Sequence, residues 1–284
     1  MARKMLTCLT PGSIGVKANQ LETIEFAHAF GYEAVQPFGE ELVNLDIAAV
    51  TDKLRQYRLV WGQAGLALDF RKDEETFRAG LKELPRIATA LQKAGASRIG
   101  TWISPNHDAL PYLANLRQHA RRLREAAKVL ADNGQRIGLE YVGPKTLWSA
   151  KRFPFVHSMA EMRELHSEID MKNVGFVLDS WHWYTAGESL ADLKTLRNEE
   201  IVCIDLNDAP AGIAIDQQID SKREIPLATG VIDVRGFLNT LHALGCDAPI
   251  RCEPFNAALR AKPREEILGT VAESMRRAMA LIIV

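Results

Sequence analysis

The chain has 284 residues, 47% of them apolar and 25% charged, with 35 basic against 36 acidic side chains and a formal net charge of −1. This composition belongs to a globular protein with a sizeable core and excludes a disordered chain. With charge balanced there is no summed positive field to gather nucleic acid or an anionic membrane, so small, weakly charged substrates are expected.

The first 13 residues, MARKMLTCLTPGS, carry two basic residues followed by too few apolar ones for a signal segment. No stretch approaches the ~18 apolar residues of a membrane span, so a cytoplasmic location is the default expectation. Short apolar runs then alternate with segments of helical period, the pattern of a parallel α/β architecture. Eight strands are predicted, at residues 5–10, 34–36, 60–67, 98–103, 136–140, 174–179, 201–206 and 249–253. Helices are predicted at 19–30, 46–57, 74–94, 109–133, 158–169, 190–198, 233–244 and 265–282. Gly31, Gly95, Gly134 and Gly245 closely follow helical runs, where a left-handed residue ends a helix. Eight strand-helix units in one chain of this length predict a single α/β domain over residues 1–284, a closed (β/α)₈ barrel.

Two connections, 143–157 and 207–232, are too long for simple turns. Both follow a strand and precede a helix, so in a barrel they lie on the C-terminal face, where active sites are built. They read as loops covering a substrate. The four cysteines, Cys8, Cys203, Cys246 and Cys252, form no close pair and read as buried reduced thiols.

The last four strands read RIGLE, VGFVLD, IVCIDL and PIRCE, and each apolar run reaches an acid: Glu140, Asp179, Asp205 and Glu253. A single acid in such a place commonly caps the next helix. Four on consecutive strands converge on one mouth, where their mutual repulsion calls for a bound cation. Oxygen ligands favour one Mg²⁺ or Mn²⁺, with Co²⁺ or Zn²⁺ as other candidates. In DLNDAP, strand alternation favours Asp205 as the inward acid and leaves Asp208 to the loop. His182, three residues beyond Asp179, stands where the strand gives way to its loop and can bond substrate, ligate metal or orient a carboxylate. Its replacement by alanine is expected to cost no more than roughly 1 kcal/mol of stability, as surface-type changes do. Trp61, Trp102, Trp148, Trp181, Trp183 and Tyr184 divide between core packing and a wall for the C–H face of a sugar, with no individual assignment.

With these residues in view, the sequence resembles the xylose-isomerase-like TIM barrels, described as sugar phosphate isomerases/epimerases, with inosose dehydratase and tagatose epimerase relatives. The resemblance runs from the first strand to the last helix and rests on GLEYVGPKTLW, NVGFVLDSWHWYTAG, LNDAP, REIPLATGVID and RCEPF. It implies a divalent metal held by Glu140, Asp179, Asp205 and Glu253, with Asp205 standing where the family has histidine. It also implies Glu140 and Glu253 as the acid/base pair and Arg223 as the loop arginine before a Pro-Gly turn whose first glycine is Leu227 here. His182 and Lys145 are further candidates for holding substrate.

The implied chemistry is proton transfer at a carbon beside a carbonyl, through an enediolate. Return of the proton gives an epimerase or an isomerase of a ketose or polyol-ketone. Loss of a β-substituent instead gives a dehydratase or lyase on an inosose or 3-keto sugar. A silent barrel is a further alternative. Endonuclease IV shares this barrel, but seven histidines and a net charge of −1 do not suit a zinc cluster beside DNA. The partner expected is thus a small sugar, with no nucleic acid and no membrane; homo-oligomerisation is compatible with the sequence and not specified by it.

Overall fold

The computed structural model describes residues 4–283. Its centre is a ring of eight parallel strands. They are β1 (Cys8–Leu9), β2 (Ala34–Val35), β3 (Val60–Trp61 and, after Gly62, Gln63–Gly65), β4 (Arg98–Trp102), β5 (Arg136–Glu140), β6 (Val174–Asp179), β7 (Ile201–Leu206) and β8 (Ile250–Cys252). The first half of β3 pairs with β2 and the second half with β4. The ring closes through the bridge of Thr7 with Ile250, where the Ile250 N–H donates to the Leu6 carbonyl at 2.9 Å. Closure leaves no open sheet edge to pair with another chain.

Around the ring lie α1 (Gln20–Ala29), α2 (Ile47–Tyr57), α3 (Glu74–Ala94), α4 (Tyr112–Asp132), α5 (Met159–Ile169), α6 (Leu190–Leu193), α7 (Val234–Ala243) and α8 (Arg264–Met279). Caps set several of their starts. The Asn19 side chain accepts from the Glu22 N–H, Asp73 from Thr76 and Ser158 from Glu161, each satisfying a donor that has no partner within the helix. The β7 run is buried along its whole length, because helices cover its outer face and the barrel interior its inner one. Burying a Leu, Ile or Phe side chain in this way contributes roughly 1.5–3 kcal/mol.

The predicted barrel stands, with three differences of detail. The strand expected at 60–67 breaks at Gly62. The helix expected at 190–198 is one turn long, followed by a 3₁₀ turn at Asn198–Glu200. There the Asp192 carbonyl is taken by both the N–H and the hydroxyl of Thr195, which tightens the chain into i→i+3 turns. Third, DSWHWY is helical rather than loop: Ser180–Thr185 form a turn and a half, capped where the Asp179 side chain accepts from the Trp181 N–H at 2.7 Å.

Both long connections lie at the C-terminal ends of the strands. The first contains a helical turn, Lys145–Trp148, and an extended pair, Phe153–Pro154, antiparallel to Asn106–His107. The second is organised by Asp208, whose carboxylate accepts from the N–H groups of Ala209, Thr229, Gly230 and Ile232. Asp205 faces inward and Asp208 holds the loop, as alternation predicts. Leu227, at the position of the family's glycine, adopts φ +66°. The turn is left-handed here at a residue with a Cβ, at a cost of about 1–2 kcal/mol. Among the described residues no helix is long and apolar enough to cross a membrane.

Candidate active site

At the C-terminal mouth of the ring lies a cavity of about 750 Å³. Glu140 at the end of β5 and Glu253 just beyond β8 line it, together with His182, Arg223 and Arg251. Ligand oxygens of Glu140, Asp179, Asp205 and Glu253 all fall within 4.8 Å of one another. Glu140, Asp179 and His182 form a second, overlapping group within the same limit. A larger cavity of about 830 Å³ lies between the end of α1 and α8, but the clustered acids do not line it.

The acids are held differently. Asp179 Oδ1 accepts from the Trp181 N–H and from Asn207 Nδ2 at 3.1 Å, while its Oδ2 accepts from Arg223 Nη1 at 2.7 Å. Capping the helical turn and joining the acid cluster are therefore two functions of one carboxylate. Both oxygens of Asp205 accept from Arg251, Nη2 to Oδ2 at 2.8 Å. The Glu253 carboxylate lies 3.3 Å from Arg251 Nη2 and 3.5 Å from Arg223 Nη1. Glu140 Oε1 is buried and has no hydrogen-bond partner.

With Asp220, whose Oδ1 accepts from Arg223 Nη2 at 2.6 Å, five carboxylates face two guanidinium groups. The imbalance shows in the titration of the acids. Burial, then Glu253, Asp205 and Asp179, raises the Glu140 carboxyl well above its ordinary range. Burial likewise pushes Asp179 up to about 6 and Glu253 up to about 7, with the arginines opposing. An orphaned buried carboxylate oxygen within a cluster of oxygen donors is the arrangement that a hard divalent cation satisfies. The residues present fit such an ion.

His182 is 1% exposed. The Gly143 N–H approaches Nδ1 at 3.2 Å and Arg223 Nη2 approaches Nε2 at 3.0 Å. Both ring nitrogens thus face donors, and burial followed by the Arg223 charge holds the ring well below its ordinary pKa, keeping it neutral. A Cβ on Gly143 would stand 2.4 Å from the His182 carbonyl oxygen, so only glycine allows this approach. Arg223 is buried, stacks on Phe255 at 4.6 Å and joins Asp179, Asp220 and His182. Phe255 itself adopts φ +43°, a strained backbone for a bulky residue.

Lys145, expected to hold substrate, stands elsewhere. Pro144 turns the chain into the short helix, and the Lys145 side chain is 53% exposed, 3.8 Å from Asp216 and outside the cavity wall. The lysine that lines the cavity is Lys151. Sequence reasoning also missed Arg251, Gln63 and Arg71 in the wall. Arg251 had a signal, since it stands two residues before Glu253 and alternation puts both on one face.

The chain matches the family model described as xylose isomerase-like TIM barrel over residues 24–278, and it belongs to that family. A xylose isomerase domain protein from Alicyclobacillus acidocaldarius has the same fold at TM-score 0.86, with 32% identity over 98% of this chain and 99% of that one. The IolI protein, in a crystal structure with a binding zinc atom, is 18% identical over 98% of this chain and 99% of that one, with TM-score 0.81, a likeness of fold. Among curated relatives, the 3-dehydroshikimate dehydratase of Pseudomonas aeruginosa is 28% identical over 85% of this chain. The inosose isomerase of Bacillus licheniformis is 27% identical over 54% of it. The matches span 37% and 51% of those two relatives, so this chain corresponds to part of each. Isomerases, epimerases and dehydratases thus share this barrel.

Proposed function

We propose that this chain is a divalent-metal-dependent isomerase or epimerase of a ketose or related polyol-ketone, in which Glu140 and Glu253 move the proton. The observation carrying this reading is that the two glutamates reach one cavity from β5 and β8, each with a raised pKa, beside an acid cluster suited to one cation. Glu140, Asp179, Asp205 and Glu253 would hold the ion, Mg²⁺ or Mn²⁺ by their oxygen chemistry, with zinc supported by the IolI relative. When bound, the ion supplies Lewis acidity toward a carbonyl and its neighbouring hydroxyl.

One glutamate takes the proton from the carbon beside the carbonyl, leaving an enediolate. The opposite glutamate returns a proton to the other face for an epimerase, or to the next carbon for an isomerase. Burial holds the Glu253 carboxyl at about 7 without an ion, and a bound cation would lower it toward the ionised form that a base needs. In this reading Arg223, with neutral His182 3.0 Å away in the same cavity wall, would hold substrate oxygens. The dehydratase relative supports a second reading in which the enediolate expels a β-hydroxyl.

The test is incubation with Mn²⁺ in D₂O against ketoses, inososes and 3-keto sugars, followed by NMR. Exchange at one carbon with an inverted or shifted product supports the first reading, and loss of water the second. Metal bound with no carbon exchanging in any of them would overturn both.

A further inference from the structure

β3 and β4 stand across the ring from β7 and β8, so the wall they form faces the acid cluster. Its chemistry is the opposite. Arg71, in the loop after β3, lines the cavity with its guanidinium over the rings of Phe70 at 4.6 Å and Trp102 at 4.5 Å. Nη1 donates to Thr101 Oγ1 at 3.1 Å and to the Trp102 carbonyl at 2.7 Å, and Nε lies 3.5 Å from Asp69. Nη2 has no protein partner among the described residues. Stacking and two hydrogen bonds hold the fork in place before any ligand arrives, which lowers the entropy cost of binding. Lys151, away from the acid cluster's two arginines, adds a further cation to the same cavity, its own partner Asp108 lying 3.1 Å away on the surface.

A second observation points to a ligand on this wall. Gln63 on β3 is 4% exposed and lines the cavity, yet its Oε1 is buried without a partner. Its amide lies over Gly100, where a Cβ would stand 2.0 Å from Nε2. The missing side chain at residue 100 is what gives Gln63 its place. A buried amide oxygen left without a partner is costly unless something else bonds to it.

We infer that this wall is a subsite for an oxyanion, and that the substrate is a polyhydroxy-ketone carrying a carboxylate or phosphate at the end away from its carbonyl. The inference rests on the carbonyl end lying at the acid cluster, as proposed above. Gln63 bonds a hydroxyl between the two ends, and Arg71, with Lys151 nearby, takes the anion. The balanced net charge of the chain hides this local pair of cations.

Three ketoses that differ only at C6 test it: D-fructose, D-fructose 6-phosphate and D-fructuronate, titrated calorimetrically into the Mn²⁺-loaded protein. At least one charged ketose binds 10-fold or more tightly than D-fructose, and which one separates phosphate from carboxylate. Arg71→Met brings that ratio to within 2-fold, Arg71→Lys leaves it intermediate, and thermal melts verify that both variants fold. If neither charged ketose is preferred, or if folded Arg71→Met keeps the preference, the subsite is overturned. The same ligands in D₂O separate this result from the proton-transfer reading. A preference that depends on Arg71, without exchange at any carbon, sinks that reading and leaves the subsite standing. Exchange with an unaltered ratio in Arg71→Met does the reverse.

Discussion

Arg251 and Asp205 are direct cross-strand partners of β8 and β7, and the guanidinium closes on both carboxylate oxygens. The resemblance implies a histidine at this position; here a buried carboxylate and a largely buried guanidinium stand together. Burial works against the Arg251 charge, but Asp205 and Glu253 outweigh it and raise its pKa well above the ordinary value. Arg251→Met should therefore leave Asp205, 0% exposed, as an uncompensated buried charge. The expected loss is about 3–5 kcal/mol, read by urea unfolding in EDTA. Saturating Mn²⁺ should raise the melting temperature of the variant more than that of the unaltered protein, because a freed carboxylate joins those facing the ion. A variant as stable as the parent in EDTA would show that the pair carries little.

Glu140 and Glu253 differ in what surrounds them: one has an orphaned oxygen, the other touches two arginines. Glu140→Gln and Glu253→Gln keep volume and remove a base. Each should lose turnover by about 10²-fold or more, with the fold and part of the metal affinity retained. The double variant should lose less than the product of the two, since both act on one reaction coordinate. Deuterium washed into substrate by a single variant without product would identify the remaining base. Normal turnover in both, with metal bound, would refute the two-glutamate mechanism.

Glu140, Asp179, Asp205 and Glu253 were legible because each ends an apolar run, and barrel closure leaves those ends one place to meet. The facing wall was not. Arg71 belongs to a loop in sequence, and only closure of the ring sets it opposite the acids. Between Lys145 and Lys151 nothing local decides which faces inward; the helical turn begun at Pro144 does. Leu227 was legible only through the resemblance, which puts it at a glycine position, because a left-handed turn without glycine carries no residue-type signal of its own.

His182 illustrates how burial revises an expectation. It was placed at a loop, where alanine would cost little, but it sits 1% exposed between Gly143 and Arg223. A neutral ring has a single acceptor nitrogen, so His182→Ala takes the acceptor from one buried donor and empties a buried site; a loss of roughly 1–3 kcal/mol is expected, along with a drop in activity of about 10-fold or more. His182→Gln, which can still accept a hydrogen bond, should recover more stability than activity. Denaturant melts and initial rates on the same samples separate the two effects. Full activity in the alanine variant would remove His182 from the site.

The clearest pH effect should come from a histidine outside the site. His119, on α4, is buried against Phe70 and Phe155, with Nδ1 3.0 Å from the Asn115 carbonyl and Nε2 unpartnered. Burial is the main cause that pushes it down to about 4 from an ordinary 6.5. In the folded state the ring therefore stays neutral, whereas the unfolded chain takes up a proton as pH falls below about 6.5. Between those values the unfolded state binds more protons, so stability falls as pH falls through the window and is unaffected by this group above it. At pH 5, about 1.5 units into the window, the penalty is roughly 2 kcal/mol, at 1.36 kcal/mol per unit. The clustered carboxyls have raised pKa values and act in the opposite direction, so the total curve mixes several groups. A difference measurement isolates this one. His119→Phe keeps a ring among the rings and cannot titrate, so its stability relative to the parent should improve by roughly 2 kcal/mol between pH 7.5 and pH 5. Urea unfolding of both proteins at the two pH values measures the change. A constant difference would mean that His119 titrates alike in the folded and unfolded chain, and that acid lability has another source.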